Sequence, residues 1–122
     1  MTEPKTRTLT VAAVQCALGE DVATNVTRVE QLVREAADAG AQIVLPPELF
    51  EGPYFPQRED ESFFDLARPA EGHSTIERFR EVAAERSIVI PVSFFERAGH
   101  AHYNSLAMID ADGSVLGIYR KS

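Results

Sequence analysis

At 122 residues and 44% hydrophobic, the chain is long enough for one compact domain with a core of its own, and its composition gives no sign of disorder. Twelve Lys and Arg against 19 Asp and Glu leave a formal charge of -7, which excludes charge-driven binding to nucleic acid or an anionic membrane and suits a small cationic substrate better. No run reaches the roughly 20 apolar residues of a membrane span, the first residues lack a signal-peptide core, and the single cysteine, Cys16, excludes an internal disulfide and a thiolate metal cluster, so a cytoplasmic protein is expected.

Residues 8–16 are apolar and rich in Val and Ala, too short for a helix, and read as a first strand covered on both faces. From Asp21 to Ala39, Val22, Val26, Val29, Val33 and Ala36 recur at spacings of four and three, one stripe of an amphipathic helix that Gly40 would cap. Gln42 to Leu45 is a second short buried strand, so the opening third is a strand, helix, strand crossover, which normally pairs its strands in parallel. Pro46 and Pro47 cannot donate to a ladder and end that strand, leaving Glu48 and the residues after it on irregular backbone beyond its carboxyl end, where open α/β sheets usually bind ligands.

Ser74-Thr75-Ile76-Glu77 reads as a capping box opening a helix to about Arg86, with Ile76, Phe79 and Ala83 on one face. Ile88 to Phe95 is the next strand, tolerating Pro91 only at an unpaired position. Tyr103 to Ile109 and Ser114 to Tyr119 follow, joined by Asp110-Ala111-Asp112-Gly113, residues suited to a tight hairpin. The sum is a mixed α/β layer without repeats or linkers. Its helices can cover one side of the sheet only, so the other apolar side is expected to lie open. The segment after the first strand lacks the glycine-rich loop of a dinucleotide-binding module.

Three stretches carry a resemblance: Leu45-Pro46-Pro47-Glu48-Leu49-Phe50-Glu51-Gly52-Pro53-Tyr54-Phe55, then Ile90-Pro91-Val92-Ser93-Phe94-Phe95-Glu96, then His102-Tyr103-Asn104-Ser105 through Ile109-Asp110-Ala111-Asp112-Gly113 to Tyr119-Arg120-Lys121-Ser122. In order and spacing they resemble the nitrilase superfamily of carbon-nitrogen hydrolases, and within it the N-carbamoylputrescine amidases. The resemblance implies an α/β fold, the N-terminal part of a four-layer α-β-β-α sandwich, with residues 1–122 forming the first part of one hydrolase domain and somewhat under half of a full-length member. It implies a Glu, Lys and Cys acting together, with Glu48 as the base, Lys121 supporting the oxyanion, and the cysteine nucleophile and a further supporting Glu on later polypeptide. It implies no cofactor and no metal, a small-molecule substrate, and a homo-oligomer in the full-length form.

Tyr54 and Phe55 are candidate walls for an aliphatic chain, and Glu51 a candidate source of negative potential for a diamine tail. Cys16 is set aside as a nucleophile, because an apolar strand offers its thiol no adjacent base or helix start. His100 and His102 lack a third ligand nearby in sequence and read as exposed or packing residues. Asn104 reads as a tie between a loop and the backbone. Two alternatives stand beside the carbamoyl-amine reading: hydrolysis of another ureido or amide substrate such as an N-carbamoyl amino acid, and a non-catalytic α/β module.

Overall fold

A computed structural model describes residues 6–52 and 67–121. Strand β1 (Val11–Ala13) pairs in parallel with β2 (Ile43–Leu45), and helix α1 (Val22–Asp38) makes the crossover between them. Asp21 caps α1 by accepting the Thr24 amide at 3.0 Å, one of the donors that a helix start leaves without an intrahelical partner. The valine stripe works as its spacing predicts: Val26, Val29 and Val33 are buried, Val22 and Ala36 pack at the edge of the core, and the helix ends at Ala39 with Gly40 following at φ +106°. The first strand is shorter than residues 8–16 and is not covered on both faces. Its hydrogen bonding runs from the Thr10 carbonyl to the Val14 amide, and Leu9 and Val11 are exposed because α1 shields one side only.

Helix α2 (Ser74–Arg86) starts where expected, with a different cap. His73 is the N-cap residue, its imidazole Nδ1 accepting the Ile76 amide at 3.4 Å. Of the expected capping box, Ser74 is the first helical residue and not the cap, and the Glu77 carboxylate accepts two bonds from Arg80, while the Thr75 hydroxyl between them donates to Glu51. Ile76, Phe79, Val82 and Ala83 face the core. The Phe79 ring meets Phe50 edge-on at 5.4 Å, a geometry that adds about 0.5–1.5 kcal/mol to the burial of the two rings.

Three antiparallel strands follow: β3 (Ile90–Ala98), β4 (Ala101–Ile109) and β5 (Val115–Arg120), in the order β3-β4-β5. A parallel bridge from Ile43 to Val89 joins this sheet to β2. Because strand side chains alternate between faces, the registers sort the residues into two sets. Ile90, Val92, Phe94, Ala107 and Ile109 point into the core beneath the helices, and all are fully buried. Ser93, Phe95, Asn104, Leu106 and Tyr119 share the opposite face. That face is open at β5, where Tyr119 is 65% exposed, as expected of a sheet with helices on one side. The described residues thus form one helix layer and one sheet layer of a mixed α/β fold, and the candidate site lies on the side of the sheet away from the helices.

Candidate active site

Glu48 reaches this open side through the backbone that the two prolines impose. Strand β2 ends at Leu45, Pro46 and Pro47 carry the chain past the sheet, and residues 48–50 form a turn. Within it Leu49 has φ +50°, a conformation that costs an L-residue on the order of 1–2 kcal/mol. Two contacts offset the cost: the Leu49 amide donates to the Ser93 hydroxyl at 3.0 Å, and the Leu49 side chain is buried with Ala67 and Phe95. The peptide that follows Glu48 is therefore fixed to β3.

Lys121 arrives from the other end of the chain by strand parity. Arg120 lies opposite Ser105 on the helix-facing side. Its guanidinium forms a two-pronged pair with the buried Glu96 carboxylate at 2.8 and 3.1 Å and lies 4.6 Å over the Tyr103 ring. The Arg120 bonds, with a third donated by Ser105 at 2.9 Å, hold the Glu96 carboxyl below the usual carboxylate range, so the pair is ionised at neutral pH. The next residue must point the opposite way. The Lys121 amide donates to the Asn104 carbonyl at 2.9 Å, and its ammonium lies 3.2 Å from Glu48 Oε1.

Asn104 completes the group, its Nδ2 donating to the same Glu48 oxygen at 2.5 Å. Asn104 is thus not a tie from a loop to the backbone through its side chain; its amide is bound to the carboxylate, and only its main-chain carbonyl serves the backbone. The Glu48 and Lys121 side chains are 42% and 61% exposed, and an ion pair so exposed adds about 1 kcal/mol at most to stability. Folding does not need this arrangement. It lines a cavity of about 370 Å³ whose wall also includes Leu45, Ser93 and Tyr119. A carboxylate that can take a proton, an ammonium that can stabilise a developing oxyanion and an apolar wall make up three of the requirements of acyl transfer. The fourth is a nucleophile.

Cys16, the chain's one thiol, lies beyond β1 and not within it, partly buried against the core. It shares a neighbouring groove with Glu48 and Pro47, yet no hydrogen bond or ion pair joins it to Glu48 among the described residues. Glu51 stands apart from the cavity. Its carboxylate accepts the Thr75 hydroxyl at 3.0 Å and lies 3.4 Å from His73 Nε2, a contact without hydrogen-bond alignment. Burial pushes the His73 imidazole below its ordinary pKa, outweighing the opposing pull of Glu51, so the ring is neutral and carries its proton on Nε2. The Asn25 amide donates to the Glu51 carbonyl at 3.1 Å, so this loop is pinned to the start of α1 as well. Tyr54 and Phe55 lie outside the described residues. The His102 ring packs on Phe95 at 5.7 Å, and among the described residues no three His, Cys, Asp or Glu side chains gather as metal ligands would. No helix among them is long and apolar enough to cross a membrane.

The carbon-nitrogen hydrolase family model matches residues 10–122. An N-carbamoylputrescine amidase of Solanum lycopersicum is 58% identical over 118 residues, covering 97% of this chain and 39% of the relative. A citrullinase of Francisella tularensis is 43% identical over 112 residues, covering 92% of this chain and 39% of the relative. A crystal structure of a carbon-nitrogen hydrolase from Helicobacter pylori superposes with a TM-score of 0.83 at 28% identity, over 93% of this chain and 39% of that one. The chain therefore spans about two fifths of the length of these relatives.

Proposed function

Since this chain belongs to the carbon-nitrogen hydrolase family, we propose that the whole protein hydrolyses N-carbamoylputrescine to putrescine, ammonia and carbon dioxide. The observation that carries the reading is the meeting of Glu48 and Lys121 at 3.2 Å in an open cavity, from chain positions 73 residues apart. The substrate assignment draws its support from the N-carbamoylputrescine amidases at 54–58% identity.

In this reading a cysteine thiol from the part of the protein outside these 122 residues attacks the carbamoyl carbon, and Glu48 takes the thiol proton. Lys121 balances the oxyanion that forms. The tetrahedral species expels ammonia, protonated by the Glu48 carboxyl, and leaves a carbamoyl thioester. Glu48 then deprotonates a water, which attacks the thioester, regenerates the thiol and frees a carbamate that decomposes to putrescine and carbon dioxide. Tyr54 and Phe55 line the path of the aliphatic chain in this proposal. Glu51 has no such part in it, its carboxylate being turned to Thr75 and His73. The full-length protein works as a homo-oligomer.

The test is ammonia release by the full-length protein and its Glu48→Gln variant. Gln keeps the shape and cannot take a proton, so a loss of about 10²–10⁴-fold is expected with an unchanged circular dichroism spectrum. Full activity in Glu48→Gln removes Glu48 as the base. A second reading, a ureido acid as substrate, is supported by the citrullinase relative. A preference for citrulline over N-carbamoylputrescine would decide for it and leave the reaction class intact.

A further inference from the structure

We propose that Asn104, backed by Ser93, is the positioning residue that holds the Glu48 carboxylate in its working orientation, an inference that rests on Glu48 being the base. The geometry is a closed ring of donors. The Leu49 amide donates to Ser93 Oγ at 3.0 Å, the Ser93 hydroxyl donates to Asn104 Oδ1 at 3.5 Å, and Asn104 Nδ2 donates to Glu48 Oε1 at 2.5 Å. Glu48 and Leu49 share a peptide bond, so the ring begins and ends on one link of the chain.

The direction of every bond follows from the groups themselves. An ionised carboxylate has no proton to give, so the Asn104 NH₂ must face it, which turns the amide oxygen toward Ser93. Ser93 Oγ already accepts from Leu49, so its own proton is available for that oxygen. Lys121 supplies the carboxylate with charge and not with a plane, because its ammonium, 3.2 Å from Glu48 Oε1, is a point charge with rotatable donors. The Asn104 amide is planar, short and tied at both ends. It fixes the plane of the carboxyl group as well as its distance. Ser93 and Asn104 sit diagonally across the β3-β4 ladder on the open face, a placement that the register Phe95↔Asn104 sets.

The experiment uses the full-length protein with N-carbamoylputrescine and compares Asn104→Asp, Ser93→Ala and Glu48→Gln. Asp keeps the shape and places a second carboxylate against Glu48, and two carboxylates in contact cannot both ionise. The acid limb of the kcat/KM profile should move up by at least about one pH unit. Ser93→Ala should lower kcat roughly three- to tenfold with KM within about twofold, through a loosened Asn104. A residue that only supported the fold would lower the melting temperature and leave the kcat of folded Ser93→Ala in place, since that variant adds no charge beside Glu48. An unshifted limb in folded Asn104→Asp overturns the proposal; should that variant fail to fold, an unchanged kcat in Ser93→Ala overturns it. Glu48→Gln keeps the outcomes apart: if it retains activity the base assignment fails, and if it is inactive while the other two match wild type, the positioning role alone fails.

Discussion

Replacing three glycines of the β3-β4-β5 sheet by alanine separates two costs that the hairpins impose. Gly113 closes the β4-β5 turn at φ +87°, and a Cβ there would lie 2.9 Å from the Arg80 carbonyl oxygen and 3.2 Å from the Ala84 methyl. Gly99 turns β3 into β4 at φ +62° with open space around it, and Gly117 in β5 has neither feature. Left-handed backbone costs an alanine about 1–2 kcal/mol. Crowding α2 adds about 1–3 kcal/mol at Gly113, because the atom met is backbone and cannot swing away. The reduced entropy of the unfolded chain returns about 0.4–1 kcal/mol at each site and cancels between them. The expected losses are therefore about 3 kcal/mol for Gly113→Ala and about 1 for Gly99→Ala, against a gain of about 0.4–1 for Gly117→Ala. Urea-unfolding midpoints of the full-length protein at constant slope measure them. Equal losses at Gly113 and Gly99 would refute the claim that the hairpin is pressed against α2, and with it the account of how the turn seats β5, since Arg80 also donates to the Gly113 carbonyl at 2.7 Å.

Two pH-dependent predictions follow from the buried charges. The Glu96 carboxyl titrates lower in the folded protein than in the unfolded chain, so its pair with Arg120 adds stability fully above about pH 4.3 and loses it as pH falls through the lowered folded value. Glu96→Gln should therefore be less stable than wild type at neutral pH, with the gap in thermal midpoints closing in acid; a constant gap contradicts the ionic account. His73 is the opposite kind of group, a base whose folded pKa lies below its unfolded one. Between the two values the unfolded chain binds the proton that the folded one refuses, so stability falls as pH drops below about 6.5. His73→Asn keeps a side-chain acceptor at the cap and cannot titrate. Its stability should be flat from pH 7.5 to 5.5 where wild type declines, as denaturant titration at each pH would read.

Much of the fold is legible because its signals are local. The valine spacing gives α1 to within a residue at each end, the two prolines end β2 where expected, and the crossover implies the parallel pairing of β1 with β2. The errors arise where a local pattern competes with distant chemistry. Ser74-Thr75-Ile76-Glu77 has the residues of a capping box, but Ser74 is itself the first helical residue, Glu77 pairs with Arg80, and His73, lying 3.4 Å from Glu51, is the cap. Histidine is a weak sequence signal for a cap. The apolar run of residues 8–16 implies a longer strand with cover on both faces, whereas only Val11–Ala13 pair and Leu9 and Val11 stand exposed.

The site was half legible for a reason that lies in strand geometry. Glu48 and Lys121 stand in motifs, so their identities could be read, but their meeting is a matter of parity. Arg120 and Lys121 are neighbours in sequence and opposites in space, one turned inward to Glu96 and the other outward to Glu48. The buried Glu96 carboxylate, matched by the half-exposed Arg120, fixes which face each takes. A one-residue slip of β5 would turn Lys121 to the Glu96 side of the sheet and Arg120 to the cavity, and would leave the buried Glu96 carboxylate without its two-pronged partner. The inward pair thus opposes the wrong register at the end of the strand where the outward one is needed. Asn104 could not be read this way: its partners are a diagonal neighbour on β3 and a turn 56 residues upstream, and only the assembled ladder puts them side by side.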